Sequence, residues 1–208
     1  MFPPLYAILD PDIVIEPLPG LAADLARAGV TLMQLRRKRG SARELYFEAK
    51  ELLEKGKVAG SSVRVIVNDR PDIAAMVGAG GVHVGQHDLP VEAARAICGN
   101  ARWVGISTHN LEQLRDAART SADYIAVGPI FPTVTKENPD PVVGIDFLRL
   151  ARQETRKPLV AIGGITIESA ADVFRAGADC VAVIRDLLGA RNPGDRARQY
   201  LEIAARTR

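Results

Sequence analysis

Two aspartates offer the first chemistry. Asp69 and Asp88 each follow a short β-rich apolar run, in "VRVIVND" and in "GVHVGQHD". If those runs are neighbouring strands, spaced about 4.8 Å apart, the two carboxylates can converge on one point. There they repel unless a proton or a cation lies between them. Oxygen donors favour a hard ion such as Mg²⁺, held by one or two carboxylates together with substrate phosphate oxygens. Each aspartate could instead cap the helix that follows it, Asp69 before "RPD" and Asp88 before Pro90. Taken together, and beside several phosphate-binding groups, the metal reading is preferred.

Those groups come from two other segments. In "QLRRK" the residues Gln34, Arg36 and Lys38 alternate, so in an extended chain they share a face, while Arg37 and Arg39 point away. The segment "GPIFPTVTKENPDPVVG" carries Thr133, Thr135 and Lys136 among four prolines. Prolines lower the entropy lost when a loop orders, and hydroxyls with an ammonium suit phosphate oxygens. One Mg²⁺ with two or three fixed cations holds a diphosphate and stabilises it as a leaving group. A second anion site is suggested by "AIGGIT" and "VAVIRDLLG", where glycine amides and a short helix could meet a phosphate.

Other residues carry weaker signals. His83 and His87 in "HVGQH" have the spacing of a zinc pair, but that pair needs a helix and this segment reads as a strand running into a loop. His83 is expected to pack in or near the core, and His87 and His109 to lie at the mouth. Ser107 is a candidate binding hydroxyl. Cys98 and Cys180 sit in apolar settings and read as reduced core residues.

The elements that must position these groups alternate along the chain. Strand-length runs "YAIL", "TLMQL", "VRVIV", "GVHV", "RWVGI", "YIAVG", "PLVAI" and "CVAVI" are each followed by a stretch with apolar residues three and four apart. Parallel strands with helical crossovers follow. Runs apolar on both faces fit a sheet covered on both sides. The even-numbered strands share similar entries, as in "GAGGVHVG" and "AGADCVAVI", which hints at a repeated double βα unit. The expected fold is a single-domain (β/α)8 TIM barrel over residues 1–208, with an open doubly wound sheet as the alternative. In a barrel, chemistry belongs at the C-terminal strand ends, and that is where "QLRRK", "ND", "GQHD", "STHN" and the threonine-lysine loop lie.

Bulk properties bound the partners. With 208 residues and a net charge of +2, the chain can bury a sizeable core but suggests neither a nucleic-acid groove nor a membrane surface. The N-terminus "MFPPLYAILD" lacks a basic region before an apolar one, so a cytoplasmic address is expected.

With these pieces assembled, the chain resembles the thiamine-phosphate synthase family along essentially its whole length. The ordered motifs are "QLRRK", "VND", "GVHVGQHDLP", "GIST", "VGPIFPTVTK" and "AIGGI". The resemblance implies joining of a hydroxymethylpyrimidine diphosphate to a thiazole phosphate, with release of diphosphate. It implies that Gln34, Arg36, Lys38, Asn68, Ser107 and Lys136 hold the pyrimidine diphosphate, with Lys136, Arg36 and Ser107 catalytic. Asp69 and Asp88 would bind Mg²⁺. Thr133 and Thr135 would hold the thiazole phosphate, with backbone from Gly164, Ile184 and Arg185. Small phosphorylated substrates are the implied partners, and surface helices leave room for a homodimer. Two positions depart from the family pattern: Arg37 stands where Glu is usual, and Arg185 where a small Ser is usual. The rival readings are a thiazole tautomerase and a barrel that binds phosphate ligands without turnover.

Overall fold

The computed structural model describes residues 1–14, 17–58, 63–133 and 140–207. Eight parallel strands close into a barrel in sequence order: β1 (Leu5–Leu9), β2 (Leu32–Leu35), β3 (Arg64–Asn68), β4 (Gly81–Val84), β5 (Trp103–Thr108), β6 (Tyr124–Val127), β7 (Leu159–Ile162) and β8 (Cys180–Val183). The last strand returns to the first, with Leu5 opposite Val181 and Ala7 opposite Val183. The open-sheet alternative is excluded, because both edges are paired.

The helices run α1 (Leu18–Arg27), α2 (Ala42–Val58), α3 (Pro71–Val77), α4 (Val91–Cys98), α5 (Leu111–Arg119), α6 (Gly144–Glu154), α7 (Ile167–Arg175), α8 (Arg185–Leu188) and α9 (Pro193–Thr207). The outer ring is formed by α1 to α7 and α9, which packs against α1 and α7. The short α8 is the extra helix expected after the eighth strand. Local chemistry starts several of them. At α2, Glu44 N donates to Ser41 Oγ at 3.2 Å while Ser41 N donates to Glu44 Oε2 at 2.6 Å, a reciprocal cap. At α5, the Asn110 side chain accepts from Gln113 N at 2.9 Å.

Strand alternation separates two cores. Leu5, Ala7 and Leu9 face the helices, whereas Tyr6 and Ile8 face the barrel axis with Leu32, Ile66, Tyr124, Val160 and Cys180. Both faces are apolar and buried, which is why each strand reads as an unbroken apolar run. Cys98 and Cys180 are buried thiols, one in each core, and form no disulfide with each other. Toward the C-terminal strand ends the inward positions turn polar, at Gln34, Asn68, His83 and Ser107. No helix among the described residues is long and apolar enough to cross a membrane.

Candidate active site

A cavity of about 560 Å³ opens at the C-terminal ends of the strands, a size suited to small substrates. From β2, Gln34 is buried and Arg36 and Lys38 follow it on the same face into the cavity, as alternation requires. Arg37 points away: its Nε donates to Glu48 Oε2 at 2.7 Å on α2. This departure from the family pattern therefore stands outside the site.

Asp69 follows β3 in the left-handed region at φ +60°, the sole non-glycine residue with positive φ among the described residues. Aspartate tolerates that conformation better than most side chains, and such strain gathers at functional sites. Its amide donates to the His83 carbonyl at 2.8 Å, tying the end of β3 to β4. Neither aspartate caps a helix: α3 and α4 have Arg70 and Pro90 at their N-caps. Instead Asp88 Oδ2 accepts from Gly85 N at 2.8 Å, folding the loop after β4 back over its own strand. Asp69 and Asp88 both line the cavity. Burial pushes the Asp69 carboxyl above its ordinary value, the Lys38 ammonium opposes that, and Asp88 adds to it.

That arrangement fits a divalent cation. Two carboxylates meet at one place, and the Lys38 Nζ contact with Asp69 Oδ2 supplies the neutralising charge there. Among the described residues, no group of three or more His, Cys, Asp or Glu side chains gathers. The two carboxylates would therefore be completed by water and phosphate oxygens, the habit of Mg²⁺.

Anion-binding groups surround the pair. The Asn68 amide nitrogen is buried with no hydrogen-bond partner among the described residues. A buried unpaired donor is costly, so it is a standing invitation to a ligand oxygen or nitrogen. Ser107 lines the cavity from β5 and lies 2.9 Å from His83 Nε2. Thr133, Gly164, Ile184 and Arg185 line the wall formed after β6, β7 and β8, with the Arg185 side chain exposed. Gly164 has φ +64°, and a Cβ there would lie 2.5 Å from the Pro132 carbonyl oxygen, so only glycine lets the loops after β6 and β7 approach this closely. Thr135 and Lys136 lie outside the described residues.

Several members of the site escape a reading of the sequence. Asp10, at the end of β1, is buried and forms an ion pair with Arg36 that aims the guanidinium across the mouth. His83 packs inside the barrel as its strand position implies, yet it also lines the cavity, whereas His87 and His109 line the mouth where the sequence placed them. Tyr6 lines its floor. Only "ILD" hinted at Asp10, as one more polar residue at a C-terminal strand end.

Fold and site together define an enzyme class: a (β/α)8 barrel that handles phosphorylated small molecules with a carboxylate pair and fixed cations. The family model described as thiamine monophosphate synthase matches residues 5–187, and the chain belongs to that family. It is 51% identical over 207 residues to the thiamine-phosphate synthase of Koribacter versatilis, covering 97% of this chain and 95% of that one. It is 46% identical to the Chloroflexus aurantiacus thiamine-phosphate synthase, over 86% of this chain and 82% of the other. The solved thiamine phosphate pyrophosphorylase of Pyrococcus furiosus superposes with a TM-score of 0.88 at 31% identity, covering 98% and 96% of the two chains.

Proposed function

We propose that this chain couples 4-amino-2-methyl-5-(diphosphooxymethyl)pyrimidine with hydroxyethylthiazole phosphate, giving thiamine phosphate and diphosphate. The observation that carries the reading is the meeting of Asp69 and Asp88 at a mouth that also holds Arg36, Lys38 and the unpartnered Asn68 amide. A diphosphate placed there meets opposite charge on several sides.

Asp69 and Asp88 are the residues that would hold Mg²⁺. When bound, the ion neutralises charge on the diphosphate. Arg36, Lys38 and Lys136 grip the same oxygens, and Asp10 keeps Arg36 oriented. The bond between the pyrimidine methylene and the diphosphate oxygen breaks, and the oxygen keeps the electron pair. Electron donation from the aminopyrimidine stabilises the methylene cation, and the thiazole nitrogen then supplies the pair for the new carbon–nitrogen bond. No enzymic nucleophile is required, which suits a site whose side chains are mainly anion binders and orienting groups. Thr133, with backbone near Gly164, Ile184 and Arg185, holds the thiazole phosphate on the opposite wall, and Thr135 is assigned to the same phosphate by the family motif. The reading brings with it a cytoplasmic location, and a homodimer formed through the surface helices.

The test mixes protein, pyrimidine diphosphate, thiazole phosphate and Mg²⁺, and follows thiamine phosphate and released diphosphate. Product that disappears on chelation, and falls at least about 100-fold in both Asp69→Ala and Lys136→Ala, is the expected result. Isomerisation of the thiazole phosphate without coupling would sink it in favour of a tautomerase.

A further inference from the structure

A chain of hydrogen bonds crosses the cavity floor, apart from the carboxylate pair and the phosphate grips. Gln34 Nε2 donates to the Tyr6 hydroxyl at 2.8 Å. That hydroxyl lies 3.0 Å from the Tyr124 hydroxyl, which lies 3.1 Å from His83 Nδ1. The opposite ring nitrogen, His83 Nε2, lies 2.9 Å from Ser107 Oγ. The two ends, Gln34 on β2 and Ser107 on β5, both line the cavity, and Tyr124 is wholly buried beneath it.

Packing fixes every ring in the chain. Tyr6 and Tyr124 meet edge to face with centroids 5.9 Å apart, and His83 stacks on Tyr124 at 5.5 Å. Gly105 makes the room: a Cβ there would lie 2.1 Å from the Tyr124 ring. Burial pushes both phenols well above their ordinary values, so each keeps its proton.

Counting protons then restricts the ends. A phenol has one proton to donate and a neutral imidazole one N–H. With Gln34 donating to Tyr6, the Tyr6 proton passes to Tyr124 and the Tyr124 proton to His83 Nδ1. His83 Nε2–H donates to Ser107, whose own proton is left for the cavity, while Gln34 keeps Oε1 as an acceptor. A half-turn of the Gln34 amide reverses every link together. Any mixed state strands a phenol proton at a buried oxygen, which costs a hydrogen bond.

We propose that Tyr6, Tyr124 and His83 are positioning residues that couple the polarity of Gln34 and Ser107, so that the two present one acceptor and one donor to an aminopyrimidine. The inference rests on the synthase reading given above. The substrate ring carries an amino donor and, across the ring from it, a nitrogen acceptor. A site whose two ends must differ in polarity matches that pattern and rejects rings offering two donors or two acceptors.

The experiment is a double-mutant cycle on the affinity for the pyrimidine diphosphate, measured by calorimetry with Mg²⁺ and without thiazole. Tyr124→Phe and Ser107→Ala are each expected to weaken binding about tenfold, the worth of one oriented hydrogen bond. The double variant should stay within about twofold of the weaker single, because the second change removes what the first has already uncoupled. Affinity for thiazole phosphate should stay within about twofold of wild type in all three. Tyr6→Phe, cutting the chain one link nearer Gln34, repeats the cycle should Tyr124→Phe fail to fold. Losses that multiply, or a Tyr124→Phe protein that binds like wild type, would overturn the coupling. Wild type that does not bind the diphosphate sinks the synthase reading and the inference with it. Wild type that binds while the losses multiply sinks the inference alone.

Discussion

Asp69 concentrates the conflict between stability and function in one residue. Its backbone is left-handed and its carboxyl is raised by burial and by Asp88. As pH rises, the unfolded chain gives up this proton before the folded one does. The metal-free fold therefore loses stability as pH climbs from the ordinary aspartate range through the raised Asp69 value. Asp69→Asn removes the charge and keeps a side chain tolerant of positive φ. Lys38 loses a partner but is half exposed, so little is lost there. We expect the metal-free variant to melt about 2 °C higher than wild type at pH 7, with no gain at pH 3 and no Mg²⁺-dependent turnover. Thermal melts at the two pH values check this, and a variant less stable at both would refute it. A Mg²⁺ ion held there would have to displace the Asp69 proton, so its affinity should weaken on acidification at a higher pH than two ordinary aspartates would give. Calorimetric Mg²⁺ titrations across that range measure it.

At the scale of elements, the inward face of β5 decides whether the floor can form. Gly105 lies opposite His83 in the β4–β5 register, with Tyr124 opposite it on β6. Its missing side chain is the space that the Tyr124 ring occupies. Gly105→Ala should therefore overpack the barrel axis and cost about 2 kcal/mol, a fall in Tm of about 6 °C. Calorimetric melting tests this, and an unchanged Tm would mean that the ring shifts freely. The helices answer to simpler rules. Ser41 with Glu44, and Asn110, start α2 and α5 as their types allow, and each amphipathic stripe finds the strands beneath it.

For the whole molecule, closure sets cooperativity. The last strand pairs with the first and α9 packs against both α1 and α7, so contacts join the chain's beginning to its end. We expect residues 1–208 to unfold as one unit, despite the echo between even-numbered strands. The calorimetric and van't Hoff enthalpies should agree, at about 0.7 kcal/mol per residue near 60 °C. Two resolved transitions would show instead that the repeated units retain separate stability.

The amino-acid order by itself determined the alternation of strands and helices and the end of the barrel that carries chemistry. It could do so because strands buried on both faces must be apolar throughout, which leaves polar residues legible at their ends. It also placed Gln34, Arg36 and Lys38 on one face and Arg37 on the other, since strand alternation is a local property. Tertiary structure alone decided what meets across the barrel. Tyr6 and Tyr124 read as ordinary members of apolar runs, and Asp10 as the end of one. Their partners lie on strands brought together only when the sheet curls and closes. Distances across a closed barrel depend on the tilt and stagger of all eight strands at once, and no local pattern encodes that sum.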